Sequence, residues 1–102
     1  MAIHQYLDCS ISHISSLDND LLIAGIDAPD TPFLILGHEH GYWLNVPTES
    51  LNEYLARYQD MIDYGFGEGM LTLYAYASVN QCNWINLDSD GEVLPNRKIY
   101  EW

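Results

Sequence analysis

Basic side chains are scarce in this chain of 102 residues, which has Arg57, Arg97 and Lys98 against fifteen acids. The formal net charge is therefore −12 at pH 7. A field of that sign repels phosphates and anionic lipid headgroups, so it disfavours direct binding to nucleic acid or membrane and favours a basic protein partner. The charge also fits a second interpretation, in which acidity only keeps a small protein soluble.

Cysteine is limited to Cys9 and Cys82, which are too few and too far apart to require a disulfide framework. Both lie in apolar, strand-like segments, so we expect reduced thiols in the core. No stretch approaches the ~18 apolar residues of a membrane span. Residues 1–5 lack the basic and apolar regions of a signal peptide. These absences favour a cytoplasmic protein.

The composition is that of one packed domain spanning residues 1–102. Hydrophobic residues make up 48% of the chain and charged residues 18%, which is far from the composition of a disordered protein. A chain of this length buries roughly two-thirds of its unfolded surface in a single core. We find no internal repeat, linker or low-complexity tract.

Apolar periodicity predicts an α+β two-layer domain, with a small, mostly antiparallel sheet of about four strands and two or three helices on one face. Strands are expected at 3–11, 33–36, 42–46 and 84–87, the middle two forming a hairpin. Helices are expected from Ser15 or Ser16 to Gly25 and from Ser50 to the glycines at 65–69. Residues 70–79 match a strand and a helix equally well.

Each expected helix has its own local signals. Ser15 or Ser16 offers an N-cap for the first helix, with Leu17, Leu21 and Ala24 on one face. Ser50 and Glu53 have the spacing of a capping box. The second helix carries a regular apolar stripe, formed by Leu51, Tyr54, Leu55, Tyr58, Met61 and Ile62.

The segment 82–91 combines a strand with an acidic turn, and we expect it at the centre of the fold. Trp84, Ile85 and Leu87 are predicted to lie in the core. Asp88 and Asp90 are assigned to the turn, where Gly91 can adopt the positive φ of a bulged hairpin. The remaining residues, ending at Trp102, are expected to form a short edge segment or a packed tail.

Several of these stretches together resemble a family of small uncharacterised bacterial proteins that are often carried on plasmids and phages. The resemblance lies in Cys82–Pro95, Tyr100–Trp102, Leu7–Ser10 and Ser12–Ile14. It implies a mobile-element context and a helix over 70–79, but no activity and no site. The family usually has an alanine- and arginine-rich helix before the cysteine, whereas Thr72–Ala77 is aromatic and uncharged here.

Possible chemical motifs are weak. His38 and His40, with His13 or His4, offer imidazole ligands for a metal, but they lack the spacing of a metal site, and a polar hairpin turn is the favoured interpretation. The stretch 88–92 resembles a shortened calcium loop that lacks the closing bidentate Glu. A triad of Asp8, His13 and Ser10 or Ser12 has no support beyond residue type. The glycines at 65–69 have no following Lys and do not predict a phosphate site.

Aromatic residues are plentiful, with three Trp, eight Tyr and two Phe. Aromatic anchors ringed by acids are typical of a surface that binds a basic protein. They can equally serve the core, where a Tyr hydroxyl needs a partner. The candidates for partial exposure are Tyr42, Tyr64, Tyr74, Tyr76, Tyr100 and Trp102.

These observations favour a small acidic, non-enzymatic interaction protein from a mobile element, needing no cofactor. It would inhibit a basic nucleic-acid-binding host protein, such as a defence complex or nuclease, by presenting carboxylates in place of DNA phosphates. The expected partner-binding carboxylates are Asp18, Asp20, Glu49, Glu53, Asp60 and Asp63. One alternative is an immunity protein against a toxin nuclease. Another is a small metal-dependent hydrolase that uses His13, His38, His40 and Asp88.

Overall fold

A four-stranded sheet and three α-helices form the domain in a computed structural model that describes residues 4–28 and 30–102. The strands are β1 (Tyr6–Ser10), β2 (Ile35–His38), β3 (Gly41–Asn45) and β4 (Trp84–Asp88). The helices are α1 (Ser16–Gly25), α2 (Leu51–Tyr64) and α3 (Glu68–Val79), and a 3-10 turn at Ile11–His13 joins β1 to α1. The predicted α+β class is confirmed. Ile3 and Pro29, at the expected first strand and first loop, lie outside the described residues.

The strand order is β1-β4-β3-β2, which places the last strand of the chain in the middle of the sheet. β4 runs parallel to β1 and antiparallel to β3, and β3 forms the expected hairpin with β2. In this register Asn86 lies between Asp8 of β1 and Trp43 of β3. The sheet is therefore mixed, with two of its three strand pairs antiparallel.

One core lies between the helices and one face of the sheet. Alternate strand residues point into it, among them Cys9, Leu44 and Ile85, none of which has any exposed surface. Helix α3 contributes the face that its helical interpretation predicts, because Met70, Leu73, Tyr74 and Ala77 are all buried. The helix expected for residues 70–79 is thus confirmed.

Local signals fix the helix ends. The Ser15 hydroxyl accepts a hydrogen bond from the Asp18 backbone amide at 3.1 Å and caps α1. The Ser50–Glu53 capping box is present at the start of α2. Gly65 ends α2 with φ at 112°, a left-handed conformation in which a side chain would be strained.

Two expected helix faces are wrong. In α1 the inward side carries Asp18, Leu22 and Gly25, whereas Leu17 is 72% exposed. In α2 the apolar stripe extends beyond the core, so that Met61 is buried while Leu51 is 71% exposed. The physical reason in α1 is that the Asp18 carboxylate is buried to accept a hydrogen bond from the Gly67 amide just before α3, so the inward face differs from the one that hydrophobicity alone predicts.

The bulged hairpin predicted after β4 is also wrong. Both edges of β4 are already paired, with β1 and β3, so no further strand can be added beside it. Gly91 lacks a positive φ, and its role is instead close approach, because a Cβ there would overlap the carbonyl of Cys9. The following residues form a packed tail without helix or strand, which ends with the Trp102 indole donating to the Ile14 carbonyl at 2.9 Å.

Candidate interaction surface

The sheet face opposite the helices, which we call the open face, carries unusually large side chains. Alternation along β3 and β4 buries Leu44 and Ile85 and turns Trp43 and Trp84 to the other side, where both are half-buried. Among the described residues no helix covers this side. An uncovered sheet face normally carries polar residues, so indole rings there need a separate explanation.

Three rings on the open face form one group, the aromatic cluster of Tyr6, Trp43 and Trp84. The Tyr6 and Trp43 centroids are 5.1 Å apart with ring planes at 71°. The Trp43 and Trp84 centroids are 6.4 Å apart with planes at 89°. Both contacts have the edge-to-face geometry that favourably orients the ring quadrupoles. The cluster is therefore ordered by its own contacts, although Tyr6 is 58% exposed.

A shallow cavity of about 350 Å³ lies against this cluster. Besides the three rings, its wall includes His4, Gln5 and Leu36. Leu34 and Leu36 on the β2 side are about half exposed and extend the apolar surface. Contiguous apolar patches of this kind mark interaction sites, and Trp and Tyr are the residues most often found at the energetic centre of an interface.

A row of hydrogen-bonded polar side chains crosses the open face beside the cluster. The His38 imidazole Nε2 donates to Asn86 Oδ1 at 2.9 Å, and Asn86 Nδ2 donates to Asp8 Oδ1 at 3.2 Å. His38 Nδ1 accepts from the His40 backbone amide at 3.2 Å, which assigns the proton to Nε2. Both imidazole nitrogens are occupied, so this row holds the Asp8 carboxylate in place and offers no general base.

The charge on the open face is negative. It carries Asp8 and Asp88, and all three basic residues of the chain are engaged elsewhere. Arg57 forms an ion pair with Glu49 at 2.7 Å. Arg97 lies 4.5 Å from the ring centroid of Tyr76, and Lys98 lies 4.8 Å from that of Tyr100. Within residues 4–28 and 30–102, no Lys or Arg therefore neutralises the open face.

The thiols offer no activated nucleophile. Cys9 lies on the buried face, where its Sγ is 3.8 Å from the Asn86 carbonyl oxygen. Burial, reinforced by the Asp8 carboxylate, raises the pKa of the Cys9 thiol to about 12. Burial also raises the pKa of Cys82. Reactive cysteines have a lowered pKa, so neither thiol has the character of an activated nucleophile. Cys9 is the core thiol expected from the sequence, whereas Cys82 is only partly buried and lies outside the strands, between α3 and β4.

The six carboxylates expected to bind a partner do not form a uniform surface. Asp18 is 1% exposed and accepts a hydrogen bond from the Gly67 amide at 2.9 Å, so its assignment to an exposed face is wrong. Glu49 is largely covered and neutralised by Arg57. The Ser50 backbone amide binds Glu53 and, with the Ser50 hydroxyl, lowers the pKa of that carboxyl. The exposed members are Asp20, Glu53, Asp60 and Asp63.

The residues of the hydrolase hypothesis do not converge. His13 is buried, its Nδ1 donating to the Lys98 carbonyl and its Nε2 accepting from the Leu94 amide, both at 2.9 Å. The His13 imidazole therefore holds the segment after β4 by two hydrogen bonds, and neither of its nitrogens is available to a ligand. Within residues 4–28 and 30–102, no group of three or more His, Cys, Asp and Glu side chains is arranged to hold a metal. His38 and Asp88 share the open face, separated by Gly41 of β3.

The other weak motifs have structural roles. The hydroxyl oxygens of Ser10 and Ser12 are 2.8 Å apart and hydrogen-bond to one another, whereas the His13 ring bonds Lys98 and Leu94. The Asp88 carboxylate accepts the Asp90 amide at 2.8 Å, which is an aspartate-stabilised turn. The acidic-turn interpretation of 88–92 thus fits the observed contacts.

Two of the six aromatic residues expected at the surface are buried, which corrects that prediction. The Tyr42 hydroxyl donates to Asn19 Oδ1 at 2.7 Å, and the Tyr74 hydroxyl donates to the Asn45 carbonyl at 3.3 Å. These partners satisfy the hydroxyls and allow the rings to enter the core. Tyr64 and Tyr100 are half-buried, and Tyr76 and Trp102 are exposed.

The aromatic cluster itself was not predicted from the sequence. Trp84 was assigned to the core, but its neighbour Ile85 takes the inward position, which turns Trp84 to the open face. The available signal was the unbroken run Tyr42-Trp43-Leu44, in which neighbouring residues are all large and apolar. A strand with one solvated face should alternate with polar residues, so the run indicates that both faces are used.

Comparison with known proteins identifies a family. Residues 6–102 match the model described as the C-terminal domain of the family of unknown function DUF5983. The chain belongs to this family. The matched residues include every strand and helix given above and the whole aromatic cluster. The expected membership in a family without assigned function is therefore confirmed.

The other comparisons give no match. No curated protein and no solved structure resembles the chain significantly. A search of the described helices finds none that combines the length and apolar character needed to cross a bilayer.

Proposed function

We propose that this chain is a non-enzymatic interaction protein that binds a basic protein through the open face of its sheet. The observation that carries the proposal is the aromatic cluster of Tyr6, Trp43 and Trp84, partly exposed on a face that, among the described residues, has carboxylates and no Lys or Arg. Each of these rings keeps part of its surface in contact with water in the free chain. A partner that covers them gains apolar burial, and aromatic residues dominate interface energetics.

Charge determines the class of partner. A chain with a net charge of −12 attracts a basic surface over long range and repels an acidic one. Proteins with basic grooves are above all those that bind nucleic acid, because their Lys and Arg side chains match the phosphates. We propose such a protein as the partner, with this chain occupying the groove in place of DNA and thereby inhibiting it.

The biological setting of the proposal follows from the resemblance to proteins of plasmids and phages. In that setting the target is a host defence protein or nuclease in the cytoplasm, and the exposed acids Asp20, Glu53, Asp60 and Asp63 add to long-range attraction. A toxin nuclease is a partner of the same chemistry, and in that case the chain acts as an immunity protein. The identity of the captured protein separates these two settings.

The test is a capture experiment followed by binding measurements on the purified partner. The tagged chain is used to isolate proteins from a host lysate, and each one identified by mass spectrometry is purified. Its affinity is then measured by calorimetry between about 0.05 M and about 0.5 M salt, a range over which screening of exposed charges changes strongly. Duplex DNA is added as a competitor.

The proposal expects a basic partner whose affinity falls at least tenfold across this salt range and which releases DNA when the chain binds. Substitution of an open-face residue, Trp84→Leu, should weaken the same complex. The exposed α1 residue Leu17, 72% exposed and outside the open face, supplies the control L17A. Salt-independent affinity for every partner, or equal affinity of the Trp84→Leu and Leu17→Ala variants, would refute the proposal.

A further inference from the structure

We propose that the aromatic cluster and Asp8 form a binding site for an arginine side chain of the partner. This inference rests on the proposed function and names the group that the open face recognises. A guanidinium ion is planar, carries five donors and stacks on aromatic rings, and Trp is the strongest aromatic acceptor for such contacts. Arginine is also an abundant side chain in grooves that bind nucleic acid.

The ring geometry suits a cation. Tyr6 and Trp84 stand at 71° and 89° to Trp43, so the three rings offer differently oriented surfaces around one cavity of about 350 Å³. The negative potential of an aromatic ring lies over its face, and a cation near several such faces is attracted by each. The remaining wall, from Leu36, His4 and Gln5, is suited to the aliphatic part of an arginine side chain.

Cation–π contacts already occur within the chain, on tyrosine rings, which attract a cation less strongly than tryptophan rings do. Arg97 lies 4.5 Å from the centroid of the Tyr76 ring, and Lys98 lies 4.8 Å from that of Tyr100. Arg57, the third base, donates to Glu49 and to the Pro32 carbonyl. Among the described residues, no Lys or Arg therefore lies at Trp43 or Trp84, although their rings attract a cation more strongly than Tyr does. A basic side chain of a partner can occupy this position.

Asp8 supplies the charge at the edge of the cluster. It follows Tyr6 by two residues on the same face of β1, which is about 7 Å along the strand. Its Oδ1 accepts from Asn86, and Asn86 is in turn fixed by His38, so the carboxylate is already oriented in the absence of a partner. An oriented carboxylate is the partner that a guanidinium binds through two parallel hydrogen bonds.

The probe for this site is a capped glycine–arginine–glycine peptide, compared with the same peptide containing citrulline. Citrulline keeps the size and shape of arginine and lacks its charge, so the pair isolates the cation. Binding is followed in the full chain through the NMR signals of the three indole N–H groups. The expected result is saturable movement of the Trp43 and Trp84 signals with arginine, at least tenfold weaker binding with citrulline, and a Trp102 signal that does not move.

Single substitutions show which side chains bind the arginine peptide. Trp43→Leu is expected to weaken binding of the arginine peptide at least tenfold, and Asp8→Asn about threefold. The matched control is Trp102→Leu, since Trp102 is an exposed Trp on the tail that contacts the Ile14 carbonyl outside the cluster. The comparison of arginine with citrulline uses the wild-type chain alone, so it remains decisive if Trp43→Leu does not fold.

The outcomes separate this inference from the proposed function. Equal affinity for the arginine and citrulline peptides, or signal changes confined to Trp102, would overturn the arginine site. If a basic partner nevertheless binds in a salt-dependent manner and is weakened by Trp84→Leu, the proposed function stands and the open face recognises another group. If the arginine peptide binds as expected and every captured partner binds independently of salt, the site stands without the inhibitory role.

Discussion

The two faces of the same sheet differ in what their side chains accomplish. On the covered face Cys9, Leu44 and Ile85 are fully buried under the helices. On the open face of the same strands, Tyr6, Trp43 and Trp84 remain partly exposed. Hydrophobic burial explains the first set completely. It leaves the second set unexplained, because equally large side chains there gain only part of the burial that the core provides.

This difference separates folding from function within single strands. Alternation places every second residue of β3 and β4 in each environment, so a change at one position tests one face only. Residues of the covered face should affect mainly the free energy of unfolding. Residues of the open face should affect mainly binding.

The largest expected effect on stability comes from truncating a leucine on the covered face, and a leucine on the open face provides the comparison. Leu44 has no exposed surface, whereas Leu36 on the neighbouring strand is 45% exposed. Leu44→Ala should reduce the free energy of unfolding by about 2–5 kcal/mol, because it leaves a cavity in the core. Leu36→Ala should cost less than about 1 kcal/mol. Urea denaturation of both variants measures this, and equal losses would mean that the open face is also a core surface.

A smaller effect on stability is expected at Asp18, the buried carboxylate on α1. Asp18→Ala removes the acceptor for the Gly67 amide at the start of α3 and should cost about 1–3 kcal/mol. Asp18→Asn keeps an oxygen acceptor and should lose less. The control on the same helix is Asp20→Ala, an exposed site where a change within about 0.5 kcal/mol is expected. Thermal or urea unfolding of the three variants is compared, and similar stability of Asp18→Ala and Asp20→Ala would contradict a stabilising role for the Asp18–Gly67 hydrogen bond.

The loss of stability at alkaline pH tests the environment of the Cys9 thiol on the covered face. The pKa of Cys9 is raised from 9.0 to about 12 in the folded chain, so between these values the unfolded chain releases a proton that the folded chain retains. The contribution of the Cys9 environment to the free energy of unfolding is therefore fully present below pH 9 and is lost as the pH rises toward 12. One such group costs about 1.4 kcal/mol at one unit above its unfolded pKa.

The measurement is urea unfolding at a series of alkaline pH values, with Cys9→Val as the control that removes this titration. The pKa of Tyr42 and Tyr74 is also raised by burial, so a residual loss at higher pH should persist in the variant. The difference between the two chains isolates the thiol. Parallel curves for wild type and Cys9→Val would show that the Cys9 environment is as accessible to water as the unfolded chain.

The smallest expected stability effect is that of Trp84→Leu on the open face. Leucine keeps apolar contact with the sheet and loses the edge-to-face contact with Trp43, so the cost should be near 1 kcal/mol or less. If Trp84→Leu lowers the unfolding temperature by several degrees more than Leu36→Ala does, the aromatic cluster serves stability. Calorimetric unfolding of both variants decides this.

The sequence predicted most of the fold because its signals are local. The Ser50–Glu53 box and Gly65 act within a few residues and are found as expected. The failures share a long-range cause. Asp18 is buried because it bonds Gly67, which is 49 residues away, and the predicted final hairpin fails because β1 already occupies the second edge of β4.

The candidate site was less predictable than the fold. Tyr6, Trp43 and Trp84 come from three strands, and only the register brings them together. Composition indicated an excess of aromatic residues and a large negative charge, but not which rings are exposed. The partner class follows from charge, whereas the position of the binding surface required the sheet order β1-β4-β3-β2.

The most direct test of the central claim is the affinity of the captured basic partner for Trp43→Leu, measured together with the variant's unfolding temperature. If the open face serves binding, affinity falls at least tenfold while the unfolding temperature changes little, and Trp102→Leu binds like wild type. Unchanged affinity of a folded Trp43→Leu variant would contradict the claim and leave the aromatic cluster without a role in recognition.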